Sequence, residues 1–247
     1  MIFAAGLGTR LKPLTDTMPK ALVEVAGKPL LEHVVLRLRD AGMERIVINV
    51  HHFAEQIVAF LARNNNFGMD IRISDETRCL LDTGGGIKKA APMFDTSSPI
   101  LIHNVDILSN VDLAKLYEEG RANDATLLVS WRDTTRYLLF DRDNKRRLSG
   151  WTNISTGEIR SPYNDIDVAE YDKYAFSGIH VFSPTLFPLF SQMPDKFGII
   201  DFYLKHCAEH AICGYVDNGL RLMDVGKLNT LSDADDFIKT IWNVRTS

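Results

Sequence analysis

Cysteine, long apolar runs and an excess of positive charge are all scarce in this sequence, and each scarcity removes a class of protein. The three cysteines, Cys79, Cys207 and Cys213, are odd in number and form no C-x-x-C pair. They supply neither a disulfide framework nor a zinc-site spacing, and are expected to be buried or inert. No apolar stretch approaches the roughly 18 residues that a membrane-spanning helix requires. The opening MIFAAG has neither the charged start nor the extended apolar segment of a secretory signal. Together these absences predict a cytoplasmic protein with no membrane partner. The net charge of -4 argues against a nucleic-acid partner, which calls for a basic face, but leaves room for a local basic patch that serves a small anionic ligand.

What is present is ample apolar content, 45% of 247 residues, enough to bury a sizeable core. One domain spanning residues 1–247 is expected, because no repeat, low-complexity segment or linker interrupts the chain. MIFAA reads as a short buried strand; Met1 opens directly on it, so the strand is short or the chain lacks a few residues at its start. LLEHVVLRLRDAG (30–42) spaces its leucines and valines as one helical face, and RIVINV (45–50) is an apolar strand. A helix over 53–63, a strand near 71–74, a helix from about Ile87, a strand over 99–103 and a helix over 112–121 continue the alternation. That pattern predicts an α/β fold with a mainly parallel sheet covered on both faces. After ATLLVSW (125–131) short runs separated by polar turns such as DRDNKRR and NISTGE predict added antiparallel hairpins. YAFSGIHVF (174–182) and LRLMDV (220–225) read as strands, GIIDFYLKHCAEH (198–210) as a helix. LSDADDFIKTIWNV reads as a closing helix capped near its start by Ser232, Asp233 and Asp235.

The chemistry concentrates near the start. In FAAGLGTRLKPLTDTMPKALVEVAGKP (3–29) four cations stand against two acids in a segment broken by glycines and prolines. A dinucleotide fingerprint G-x-G-x-x-G fails because its third position is Leu11, and a Walker A loop fails because Leu22 stands where its first glycine belongs. What remains is a loop whose glycines admit phosphate oxygens close to the backbone while Arg10 and Lys20 supply charge, the arginine in bidentate contacts and the lysine as a point charge.

The whole string G-L-G-T-R-L-K-P-L-T-x-x-x-P-K-x-L, ending in G-K-P, resembles the signature of the sugar-1-phosphate nucleotidylyltransferases, and the branch resembled is that of N-acetylmuramate-1-phosphate uridylyltransferases and mannose- or heptose-1-phosphate guanylyltransferases. The resemblance implies a Rossmann-like, single-domain fold with a mixed, mainly parallel sheet. It also implies transfer of a nucleoside monophosphate from an NTP to a sugar 1-phosphate, dependent on Mg²⁺, with UTP and an N-acetylmuramate-type acceptor preferred. The other readings are a GTP-using mannose or heptose enzyme and a non-catalytic nucleotide-sugar-binding regulator. By the resemblance, Arg10 and Lys20 are catalytic, and Ala5, Gly6, Gly8 and Thr9 face the nucleotide.

Further segments carry the resemblance. LLDTGGGIKKA (80–90) would place Thr83, Gly84 and Gly85 in the nucleotide wall, the glycines there letting base and ribose lie against backbone. LIHNVDIL (101–108) would set Asn104 beside the nucleoside and Asp106 on the metal, with Val105 in place of the family's usual glycine. LMDVG (222–226) would contribute Asp224 as the second metal carboxylate, both aspartates ending strands at the carboxyl edge of one sheet. Ser177 and Gly178 in FSGIHVF would lie by the sugar. The family's E-K-P lysine, which contacts the acceptor phosphate, has no counterpart in LSGWTNISTGE (148–158). His51, His52, His103 and His180 lack ligand spacing and read as packing residues. A homo-oligomer is neither indicated nor excluded by the sequence.

Overall fold

The computed structural model describes residues 1–143 and 146–242. In chain order the first half comprises β1 (Ile2–Phe3), β2 (Glu24–Val25), β3 (Lys28–Pro29), α1 (Leu30–Asp40), β4 (Arg45–Val50), α2 (Ala54–Arg63), β5 (Asp70–Asp75), α3 (Asp82–Ala90), β6 (Ile100–Asn104), β7 (Ile107–Ser109) and α4 (Leu113–Gly120). The second half adds β8 (Ala125–Ser130), β9 (Arg136–Phe140), β10 (Leu148–Asn153), β11 (Glu158–Arg160), β12 (Asp172–Phe182), α5 (Ile199–His206), β13 (Ile212–Val216), β14 (Leu222–Asp224) and α6 (Leu228–Trp242).

Ten strands form one mixed sheet along the path β11-β10-β9-β12-β6-β1-β4-β5, with β8 on β12 and β13 on β8. The β6-β1-β4-β5 portion is parallel, as the strand-helix alternation requires, and the hairpin strands β9, β10 and β11 are antiparallel. Strand β12 joins the two portions. Its C-terminal half pairs with β6, and its N-terminal end pairs with β9. Alternate residues of each strand serve opposite faces: Ile46, Ile48 and Val50 pack under α1, α2 and α6, whereas Val47 and Ile102 pack under α3 and α5. Among the described residues no helix is long and apolar enough to cross a membrane.

Three sequence expectations need correction. Helix α3 begins at Asp82, not at Ile87, so the three glycines lie inside it; close tertiary packing, described below, outweighs their poor helix propensity. Helix α6 begins at Leu228, so Ser232, Asp233 and Asp235 are interior positions; Asp235 accepts a hydrogen bond from the Ala26 amide at 2.6 Å instead of capping. Asn243 and Val244 of that predicted helix, like Asn144 and Lys145 of the DRDNKRR turn, lie outside the described residues. Asp224 ends a strand, but β14 pairs only with β7 in a separate two-stranded ribbon, so the two aspartates do not share one sheet edge. Cys207 and Cys213 are buried, while Cys79 is exposed. His103 and His180 are buried, and burial holds their pKa values down to about 3, so both stay neutral packing groups.

Helix α4 meets β12 at a glycine. A Cβ on Gly120 would stand 2.7 Å from the Val181 Cβ, too close for either backbone to ignore. Gly120→Ala is therefore expected to lower stability by about 1–2 kcal/mol, overpacking outweighing the gain in helix propensity. Urea unfolding checks this, and a variant at least as stable as the wild type would show that the helix shifts freely on the sheet.

Candidate active site

Strand β1 ends at Phe3, and the chain then crosses the end of the sheet as a loop. Pro13 and Pro19 prevent a regular helix, leaving single 3₁₀ turns at Thr9–Leu11, Leu14–Asp16 and Lys20–Leu22. Gly8 adopts φ 64°, a left-handed conformation that favours glycine; a Cβ there would also come within 2.8 Å of Thr15 and 3.1 Å of the Lys20 Cβ. The Thr15 hydroxyl donates to the Gly8 carbonyl at 2.8 Å. The motif's glycine and threonine thus shape the loop that delivers Lys20.

Lys20 Nζ contacts Asp106 Oδ2, both side chains largely enclosed at 11% and 15% exposure. Asp106 lies two residues past the end of β6, in the turn to β7, and its carbonyl accepts the Val225 amide at 2.9 Å. That bond seats Asp224 beside Asp106. Burial first, and the Asp106 charge second, push the Asp224 carboxyl above its usual pKa, against the pull of Lys20 and Arg10. Asp224 Oδ1 is buried and has no hydrogen-bond partner among the described residues. Arg10 is exposed and reaches the same corner: a Cβ on Gly226 would stand 2.6 Å from Asp224 Oδ1 and 2.7 Å from Arg10 Nη2. Two cations and two carboxylates from distant segments therefore converge. Among the described residues no group of three or more His, Cys, Asp or Glu side chains could hold a metal ion, so a divalent cation here would rely on Asp106, Asp224 and ligands from substrate or water. The buried, partnerless Oδ1 suits such a cation.

Beside this corner opens a cleft of about 390 Å³. Of the expected residues, Ala5, Gly6, Lys20, Thr83, Asn104 and Asp106 line it. Gly178 sits behind Asn104, where a Cβ would come 2.8 Å from the Asn104 amide nitrogen. Ser177 does not reach the cleft; it is fully buried, its hydroxyl donating to Ser130 Oγ at 3.2 Å. The reason expected for Gly84 and Gly85 is also corrected. Their missing side chains make room for protein: Cβ atoms would lie 2.2 Å from the Phe197 ring and 2.3 Å from the Asp195 carbonyl. Thr83 Oγ1 accepts the Ile199 amide at 2.8 Å. A larger cavity, about 540 Å³ between α1, α4 and α6, holds none of the converging charges.

Sequence reasoning missed Asn49, Glu76, Asp82 and Lys196, which also line the cleft. Asn49 Oδ1 accepts the Ala4 amide at 2.8 Å, and its Nδ2 donates to Glu76 Oε1 at 2.8 Å. Glu76 Oε2 in turn accepts the Leu81 amide at 3.1 Å. This fully hydrogen-bonded clamp fixes the start of the opening loop relative to the start of α3, and Gly86 leaves space for it. A polar Asn within the apolar run RIVINV was the available signal. Lys196 gave none.

Comparison with known proteins follows the same outline. The nucleotidyl transferase family profile matches residues 1–240. An N-acetylmuramate alpha-1-phosphate uridylyltransferase from Caulobacter vibrioides is 34% identical over 230 residues, 89% of this chain and 88% of that protein. The Neisseria meningitidis serogroup B protein of the same name is 42% identical over 118 residues, 48% of this chain and 51% of that protein. Among solved structures, a putative glucose-1-phosphate thymidylyltransferase from Bacillus anthracis superposes with a TM-score of 0.77 at 18% identity, covering 100% of this chain and 96% of that one. HddC from Yersinia pseudotuberculosis, complexed with GMP-PN, gives 0.71 at 23% identity, covering 95% and 96%.

The raised Asp224 pKa has a defined sign for stability. Because the folded state holds this proton more tightly than the unfolded chain, stability falls as the pH rises from the ordinary value of 3.8 through the raised one. Above that window the ionised carboxylate is a cost. In metal-free buffer at pH 7, Asp224→Asn should thus unfold at an equal or higher urea concentration than wild type, the advantage narrowing as the pH is lowered. A lower midpoint for the variant at pH 7 would place Asp224 among the stabilising groups instead.

Proposed function

The chain belongs to the nucleotidyl transferase family, and from that premise we propose that it transfers a nucleoside monophosphate from an NTP to a sugar 1-phosphate, with residues 1–247 acting as one nucleotidyltransferase domain. The observation that carries the reading is the convergence of Arg10, Lys20, Asp106 and Asp224 in one corner, beside a cleft that Lys20 and Asp106 line. Chemistry of this kind asks for charge at a polyanion, not for a Ser/His pair, and no general base is needed because the attacking phosphate oxygen is already anionic. That oxygen forms a bond to the α-phosphorus while the bond to the bridging oxygen of pyrophosphate breaks, the electron pair leaving with pyrophosphate.

Ala5, Gly6, Gly8 and Thr9 present backbone to the triphosphate. Arg10 contacts the departing pyrophosphate, and Lys20 stabilises charge gathering on the α-phosphate in the transition state. Asp106 and Asp224 would hold Mg²⁺, which when bound neutralises phosphate charge and helps align the triphosphate. Without it, Lys20 and Arg10 balance the two carboxylates. Thr83 walls the nucleoside and Asn104 contacts it, while Gly84 and Gly85 seat α3 against Phe197 and Asp195 behind that wall. Gly178 keeps β12 close to Asn104 on the acceptor side, while Ser177 supports that strand from within.

UTP and an N-acetylmuramate-type sugar 1-phosphate are the preferred pair. Support comes from the Caulobacter uridylyltransferase, whose alignment spans most of both chains. GTP with a mannose or heptose 1-phosphate is the second reading, supported by a mannose-1-phosphate guanylyltransferase of Mycobacterium tuberculosis, 33% identical over 129 residues.

Pyrophosphate release from four NTPs against a panel of sugar 1-phosphates tests the pairing, and the highest kcat/KM is expected for UTP with N-acetylmuramate 1-phosphate; a maximum with GTP would install the second reading. In the preferred pair, Lys20→Ala should cut turnover about a hundredfold or more at saturating substrate, while the far-UV circular dichroism stays that of the wild type. Turnover within a fewfold of wild type would remove Lys20 from the chemistry.

A further inference from the structure

The ribbon that carries Asp224 stands apart from the main sheet. Strand β14 pairs with β7 alone, Leu222 opposite Ser109 and Asp224 opposite Ile107. A two-stranded ribbon by itself is marginal in water. Ile107, Leu108 and Val225 bury their side chains in the core, but apolar contact is non-directional and does not fix a ribbon along its length. At the active-site end the Val225 amide closes the ribbon on the Asp106 carbonyl. The far end requires an anchor of its own.

Two side chains from other elements meet there at one atom. The carbonyl of the buried Ser109 accepts Arg37 Nη1, from α1, at 2.6 Å and Trp242 Nε1, from α6, at 3.0 Å. Arg37 Nη1 also lies 3.3 Å from the Ser109 hydroxyl, and its Nη2 donates to the Val111 carbonyl. The guanidinium carbon stands 5.5 Å from the centre of the Trp242 ring. A charge drawn out of water is costly, and this one is spent on backbone carbonyls through bonds that are short and directional. Burial lowers its pKa to about 10, against the pull of Asp112, so the charge persists at neutral pH. The β14 side is tied to the same helix: Arg221 Nη2 donates to Thr240 Oγ1 at 2.9 Å, and the Arg221 amide donates to Asn110 Oδ1 at 2.7 Å.

We propose that Arg37 and Trp242 are positioning residues for the carboxylate pair: by pinning Ser109 they fix where β7 and β14 lie, and so hold Asp224 beside Asp106. The assignment rests on the role proposed for that pair toward a divalent cation, and deepens it. Both residues line the separate cavity between α1, α4 and α6, not the cleft, so they act only through the ribbon.

Arg37→Met and Trp242→Phe are compared with wild type and with Gly120→Ala, which disturbs packing elsewhere. The phenylalanine keeps a ring beside Arg37 and loses only the N–H. Amide hydrogen exchange of the metal-free proteins, read on peptides covering 106–111 and 220–226, should be faster in both anchor variants than in wild type or the control. The Mg²⁺ concentration for half-maximal pyrophosphate release should rise about tenfold in Arg37→Met, and by less in Trp242→Phe, while the acceptor KM holds. Arg37→Lys should recover part of the loss. Should Arg37→Met fail to fold, Trp242→Phe decides. Exchange that quickens no more in the ribbon than in the control, or a Mg²⁺ dependence like that of wild type, overturns the assignment while the reaction stands. A wild-type protein that releases no pyrophosphate with any NTP and sugar 1-phosphate removes the reaction and this assignment together.

Discussion

Two carboxylates placed side by side in a half-buried corner repel each other, and the arrangement of Asp106 and Asp224 is the constraint to which the rest of the site answers. Water cannot fully screen them, as the raised Asp224 pKa records. The fold responds from one direction with Lys20, brought in on a loop whose prolines forbid a helix, and from another with Arg10, which stands close to Gly226. In the proposed reaction the same corner would meet polyphosphate and cation alike. Within the protein the corner is held together by Lys20 and Arg10 set against the two carboxylates.

The opposite wall is built by close approach. Three consecutive glycines enter a helix, an arrangement poor in intrinsic propensity, and each is explained by a neighbour: the Phe197 ring at Gly84, the Asp195 carbonyl at Gly85, the Glu76–Asn49 clamp at Gly86. The glycines set the distance between α3 and the segment before α5, and with it the place of Lys196. The clamp performs the matching task on the side of the loop, linking Ala4, Asn49, Glu76 and Leu81 in one chain of hydrogen bonds. Both walls are therefore positioned from behind, by groups that need not touch a ligand.

Much of this was legible in the sequence, and the failures share a cause. Strands such as RIVINV and helices such as LLEHVVLRLRD announce themselves through local periodicity, and the opening loop through its residue types. The cations near the start and the strand-end aspartates were visible for the same reason. The early start of α3 was hidden because glycine propensity argued against it, and the neighbours that reverse that argument include Phe197 and Asp195, more than a hundred residues away in the sequence. Asp224 lies beside Asp106, but on a ribbon separate from the main sheet instead of on one shared edge, since a three-residue strand does not disclose its partner. Lys196 and Glu76 look like ordinary surface charges until tertiary structure turns them toward the cleft.

The ribbon of β7 and β14 carries a consequence for how the protein comes into being. A chain emerging from the ribosome completes β1, the cationic loop, the parallel strands and β7 long before β14 is synthesised. Until then the edge of β7 is unpaired, and the carbonyl of Asp106 waits for the Val225 amide. Contacts of such long sequence separation form late and slowly. From the synthesis of Ser109 until that of Leu222 the nascent chain thus carries an open strand edge, and its charged corner is completed only once β14 has been made.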